Sequence, residues 1–246
     1  MFEPIRGFTS LQRTPQTDLK LGSVLAFVAG AANAGGFLAV GHYTSHMTGI
    51  LSSTADNLVL GQLALAAAGV GSLLAFLLGA MTTAWLVNWG MRRQLRSAYG
   101  LPLIVEAAAL LVFGLFGAAI GLMTPVFLPL TVVLLCFIMG LQNAVITKIS
   151  RAVIRTTHVT GLITDLGIEL GKLLYVNRHP GQSPVLANRD RLRVHGQLIA
   201  SFFLGGLTGA MGFKHVGYVS TVPLALMLLL LVMRPALDDW KRLRAV

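Results

Sequence analysis

The chain has 246 residues, 55% of them apolar and 11% charged, whereas a typical soluble domain is roughly a quarter charged. A water-soluble protein could not cover that much apolar surface, which excludes an ordinary soluble enzyme or binding domain. Lys and Arg outnumber Asp and Glu by 19 to 9, but they fall between the apolar blocks, where they set membrane topology, and not on the clustered soluble face that a nucleic-acid binder needs.

Residues 1–20 are polar, with Arg6, Arg13 and Lys20, and read as a cytoplasmic segment without a secretory signal. A spanning helix needs roughly twenty apolar residues. Six blocks meet this or come close: 21–41, 62–88, 100–121, 126–148, 195–213 and 218–233. Residues 42–61 and 149–174 are less apolar and rich in Ser, Thr, His and Asp. Residues 175–194 read as a basic cytoplasmic loop and 236–246 as a cytoplasmic tail. The single cysteine, Cys136, lies within an apolar block, which rules out an intrachain disulfide.

The two polar segments decide the topology. With six crossings, Lys214 alone among the 19 basic residues falls on the far side. With eight, the clusters at Arg92 and at Lys148 to Arg155 move outside. The positive-inside rule selects six, a multi-pass chain with both termini cytoplasmic.

The halves also resemble each other. Gly30-Ala-Ala-Asn33-Ala34 reads like Gly140-Leu-Gln-Asn143-Ala144, and His46-Met-Thr48-Gly49 like His158-Val-Thr160-Gly161. Phe76 to Ala84 matches Phe202 to Ala210 at five of nine positions, and Pro102 and Pro223 open the third and sixth blocks. Three crossings per half make the second half enter from the opposite face. The predicted fold is therefore all-α, with six transmembrane helices as two inverted three-helix repeats, residues 21–122 and 123–235. Each repeat carries a polar re-entrant or broken helical segment.

Residues 42–61 hold ten polar side chains from His42 to Asn57 and no Lys or Arg. Non-helical backbone at membrane depth requires protein or a water-filled cavity around it. Gly49 and Gly161 suit a helix break, with Thr48 and Thr160 satisfying the freed backbone groups. Inward helix N-termini would favour an anion or carboxylate. Amphipathic helices lying on each surface are the alternative. Asn33 and Asn143, each upstream of a His-x-Thr-Gly element, point to a shared polar site, with interhelical packing as their other role. Gln142 adds an amide in the second half.

Among the ionisable groups, Asp56 and Asp165 are candidate coupling acids, and His46 and His158 are candidate site residues, with hydrogen-bonded structural histidines as the alternative. Glu106 reads as a carboxylate near the headgroups, solvated or paired with Arg. Asp165, Glu169 and Lys172 share a helix face as an ion-pair ladder. No metal-ligand spacing, phosphate loop or nucleophile motif is present, so neither a metal, a cofactor nor an enzymatic role is expected.

These residues make the chain resemble the YoaK-like family of bacterial integral membrane proteins, from Asp18 to Arg234. The resemblance rests on Gly30 to Ala34 with Phe37 and Gly41, on His46 to Gly49, on Gly140 to Ala144, and on Thr156 to Gly161. It implies about six spans and a bacterial inner membrane, and supplies no substrate. Ile50 departs from the family pattern, which places Asn there.

The functional expectation is a small-solute transporter, with Asn33, His46, Thr48, Gly49, Gln142, Asn143, His158, Thr160 and Gly161 around a central site and an anionic or carboxylate-bearing solute preferred. A passive channel and a non-transporting scaffold or receptor are the alternatives. The bilayer is the one certain partner, and assembly into homo-oligomers stays open.

Overall fold

A computed structural model describes residues 14–41, 43–149, 159–177 and 183–244. Among them are eight α-helices and no strand: α1 Pro15–Val40, α2 Met47–Val59, α3 Leu63–Arg92, α4 Leu101–Ala119, α5 Thr124–Ile149, α6 Val159–Leu174, α7 Arg189–His215 and α8 Thr221–Arg244. Six stretches are long and apolar enough to cross a membrane: Gln16–Val40, Leu63–Arg92, Leu101–Ala119, Thr124–Ile149, Arg189–His215 and Gly217–Arg242. This is the architecture of a multi-pass membrane protein, with the six helices where the six apolar blocks predict them.

The ends reach beyond the apolar blocks because polar residues cap them. Thr14 accepts from the Thr17 amide and Pro15 opens α1. Asn188 Oδ1 accepts from the Asp190 and Arg191 amides, starting α7 six residues before its apolar block. Asp239 on α8 accepts from the Arg96 and Ser97 amides and the Ser97 hydroxyl, which ties α8 to the α3–α4 connection.

Two helix crossings organise the bundle. In the first, α1 packs along α7: a Cβ at Gly30 would run into the Phe202 carbonyl, and one at Gly205 into the Phe27 carbonyl. In the second, α3 packs along α5, with Gly79 against the Phe137 carbonyl and Gly140 against that of Phe76. All four helices carry Phe-x-x-Gly at the crossing: Phe27 to Gly30, Phe76 to Gly79, Phe137 to Gly140 and Phe202 to Gly205. Small residues let two backbones touch, which is how helices associate where lipid competes for apolar side chains. Gly209 against Ala31, and the Thr83 hydroxyl donating to the Leu141 carbonyl (3.0 Å), extend the two crossings by one turn.

These contacts also fix direction. Phe27 meets Gly205, Ala31 meets Gly209 and Gly35 meets Phe213, so α1 and α7 run parallel. Gly79 meets Phe137 and Thr83 meets Leu141, so α3 and α5 run parallel. Across α1 and α5, Gln142 reaches Leu25 while Gly36 meets Leu135, which makes that pair antiparallel. Gly100 on Val232 and Gly114 on Thr221 make α4 and α8 antiparallel. Every direction agrees with six alternating crossings.

Glu106 departs from expectation. It is not a solvated or Arg-paired headgroup residue: it is fully buried on α4 and neither carboxylate oxygen has a hydrogen-bond partner. Sequence position fixed its depth along the helix, but not that its face turns inward.

The crossings predict a sharp contrast between glycines. Gly140→Ala drives a methyl into the Phe76 backbone and should destabilise by about 1–3 kcal/mol. Gly167→Ala in α6, where a Cβ meets nothing within 4 Å, should be neutral or gain about 0.5–1 kcal/mol from helix propensity. Thermal unfolding of both variants in detergent checks this, and equal effects would contradict the crossing.

Candidate functional site

Helices α2 and α6, of 13 and 16 residues, are too short to cross a bilayer core that takes about twenty. Their starts define the site. α1 ends on Gly41, whose φ of 78° places it in the left-handed region that glycine favours, with its amide bonded to the Phe37 carbonyl at 2.8 Å. The chain then doubles back along α1. Tyr43 stacks on Phe37, with ring centroids 4.7 Å apart, and the Ser45 hydroxyl donates to Asn33 Oδ1 at 2.9 Å. Asn33 lies about 10 Å below the end of α1, at 1.5 Å per residue, close to the Gly30 crossing. α2 therefore starts deep in the bundle, then returns along α3, with Thr54 packed on Gly69.

The expected break at the Thr-Gly pairs is corrected by this geometry. Gly49 and Gly161 both lie inside the first turns of α2 and α6, and the first half bends at Gly41. Gly49 has a different task. The His46 ring folds over the first turn of α2, and a Cβ at Gly49 would lie 2.5 Å from its Nδ1. A Cβ at Gly161 meets nothing within 4 Å. His46 is the N-cap of α2 and makes no side-chain cap bond, which leaves first-turn amides open.

α6 starts at the same place from the other half. Val159, Thr160 and Ile163 line a cavity of about 800 Å³ together with Asn33, Tyr43, Ser45 and His46 from the first half and Phe202 and Gly206 of α7. α6 runs antiparallel to α7: Asp165 approaches His195 at 4.0 Å, and Glu169 accepts from the Asn188 amide at 2.7 Å. Since α1 and α7 are parallel and α2 returns along α3, the two short helices leave the cavity in opposite directions. Phe37, Tyr43 and His46 also line a second cavity of about 810 Å³ against α3 and α5, with Gly49, Asn57 and Ser72.

The structure gathers Asn33, His46 and Thr160 around the first cavity, and Gly49 faces the second. Asn33 is buried, its side-chain carbonyl accepts from Ser45, and it lines the cavity. Thr48 is exposed on the first turn of α2 and lines neither cavity. Gln142 is wholly buried and lines neither cavity; its Nε2 donates to the Leu25 carbonyl at 2.8 Å, and its Oε1 has no hydrogen-bond partner. Asn143 is buried on α5 at the position matching Asn33. His158 lies outside the described residues. Asp56 is exposed on α2 and lines neither cavity, and Asp165 is exposed beside His195.

The ladder expected from Asp165 to Lys172 is split. Glu169 bonds Lys172 at 2.8 Å and the α7 cap, while Asp165 turns to His195. Sequence reading missed Ser45 as the partner of Asn33, and Phe37 with Tyr43 as the stack beside it. An aromatic residue on each side of a helix-ending glycine was the available signal.

The Lys172 ammonium, and after it the Asn188 amide, hold the Glu169 carboxyl below the usual carboxylate range. A depressed folded value stabilises the protein above the unfolded value, near 4.3, and that contribution is lost as pH falls through the folded value. Acidification from roughly pH 5 to 3 should therefore lower the wild-type melting temperature more than that of Glu169→Gln. At Asn33, a double-mutant cycle with Asn33→Ala and Ser45→Ala should give a coupling of about 0.6 kcal/mol, the average for such bonds in membranes. Additive effects would mean that the hydroxyl does not hold the segment.

Compared with known families, residues 21–233 match the one described as "Protein of unknown function (DUF1275)". Neither the curated proteins nor the solved structures compared with the chain gave a match. The matched stretch runs from the first spanning helix into the last, and on that basis the chain belongs to the DUF1275 family.

Proposed function

We propose that the protein is a small-solute transporter in which two inverted three-helix repeats each send a re-entrant half-helix, α2 or α6, to one central site. The observation that carries this reading is the meeting of the α2 and α6 starts in a single cavity with Asn33. Discontinuous helices with their N-termini directed at a midplane site are a recurring transporter design. A cavity of about 800 Å³ suits a small ligand. The lack of a side-chain cap on α2, the partial positive charge of a helix start and the absence of Asp or Glu among the described lining residues favour an anionic or carboxylate-bearing solute. The excess of Lys and Arg at one end supports cytoplasmic termini, and the YoaK-like resemblance supports the inner membrane of a bacterium. No enzymatic role forms part of this reading.

Purified protein heated with nitrate, formate, acetate or lactate gives the direct test, because a ligand of the folded state raises its stability with the logarithm of concentration over Kd. At least one of these anions should raise the melting temperature, and the rise should vanish in Asn33→Ala and in the isosteric Thr160→Val. No rise in the wild type, or a rise that both variants keep, would overturn the site. In proteoliposomes, saturable flux of the stabilising anion identifies a carrier and linear flux a pore.

A further inference from the structure

Glu106 takes no part in the site just described, yet it is a carboxyl group buried without a hydrogen-bond partner. It sits on the second turn of α4 among Leu103, Ala107 and Leu110, with no exposed surface and no hydrogen bond to either oxygen. An ionised carboxylate so placed loses its hydration without compensation. An ionisable residue at membrane depth therefore asks for a ligand or a partner. Packing does not require it: with Pro102 aligned on Pro223, the equivalent residue of α8 is Met227, an apolar side chain packed on the same core.

The charged and titratable groups on the elements around α4 are engaged elsewhere or lie at the bundle's end. On α3, Arg92 is exposed at the basic end. On α5, Lys148 donates to Asn88, and Cys136 is turned to Ser72. Tyr218 packs its ring on Phe113 and Phe213. On α8, Asp238 pairs with Arg96 and Asp239 holds the Ser97 backbone. Arg234, Lys241 and Arg242 lie beyond Val232, which packs at Gly100 before α4 begins. No described group forms an ion pair with Glu106.

We infer that Glu106 is a proton-binding site, occupied in this arrangement and emptied only when the buried face of α4 meets water. A metal cation would need several oxygen ligands, and no cluster of metal-binding side chains occurs among the described residues. A proton needs one: the O–H bond forms at a carboxylate oxygen with a proton from water, the charge disappears, and the apolar shell is left unstrained. Release returns the proton to water, so it requires a second arrangement of α4 against α5 and α8. The link of that second arrangement to transport rests on the reading above; the proton site itself does not.

Infrared spectroscopy of the purified protein at neutral pH tests this. The chain has three glutamates, Glu3, Glu106 and Glu169, and Glu169 is ion-paired. Wild-type protein labelled with 13C-carboxyl glutamate should show an isotope-shifted carbonyl band of a protonated acid, and Glu106→Gln should lack it. Transfer to D2O should shift the band slowly, as for a sequestered proton. A spectrum with carboxylate bands alone, or a shift as fast as that of a solvent-exposed acid, overturns the proposal. The labelled wild type keeps the test valid if Glu106→Gln does not fold. Loss of the band with anion stabilisation intact would remove the proton site and leave the transporter reading standing; the band without any anion effect would do the reverse.

Discussion

The structure depends on backbone touching backbone at two Phe-x-x-Gly crossings. In a bilayer, an apolar side chain gains little by leaving lipid for protein, so helices hold together where their main chains approach closely. Gly30 with Gly205 and Gly79 with Gly140 permit that approach, each glycine set against a phenylalanine carbonyl of its partner helix. Both crossings join a helix of the first half to one of the second, α1 with α7 and α3 with α5. Neither half can complete its packing alone. α2 then rests on α3 and α6 on α7, while α4 and α8 close the bundle through Gly100, Gly114 and Gly117.

The crossings set the depth of the site. Asn33 lies one turn beyond Gly30, and through Ser45 it draws the chain back to that level before α2 begins. Thr160, at the start of α6, faces the same space beside Phe202. A helix start leaves amides unpaired, which is costly in an apolar interior unless a polar group or a ligand receives them. The start of α2, without a side-chain cap, places that demand at the cavity, where the proposed solute would satisfy it. The stack of Phe37 on Tyr43 holds the segment against the end of α1.

Much of this was legible in the sequence. The six spans followed from block length, and their alternation from the distribution of Lys and Arg. The pairing of Gly30 with Gly140, and of Phe76 to Gly79 with Phe202 to Gly205, marked residues that the structure uses. Phe27 and Phe137 escaped notice because phenylalanine in an apolar block carries no contrast, although each stands three residues before a marked glycine. The bend was assigned to Gly49 because a His-x-Thr-Gly element looks like a break. Yet the first turn of a helix uses the same residue types, and here Gly49 makes room for the His46 ring. Gln142 looked equivalent in kind to the asparagines, but its amide is held by Leu25 across a helix contact. Face and partner depend on the rotation of each helix, and a single sequence does not encode that rotation in any local pattern.

The likeness of the halves also sharpens what differs between them. The scaffold pairs Phe with Phe, Gly with Gly and Asn33 with Asn143, but sets Glu106 against Met227 and Gly49, with its overlying imidazole, against an unconfined Gly161. Packing demands are met by both members of each pair, so the differences are free to carry chemistry. Glu106 has no counterpart at Met227, so the proton occupancy proposed for it would change the cost of burying α4 without changing that of α8. The crossings are common to the two halves; the buried carboxyl belongs to one of them.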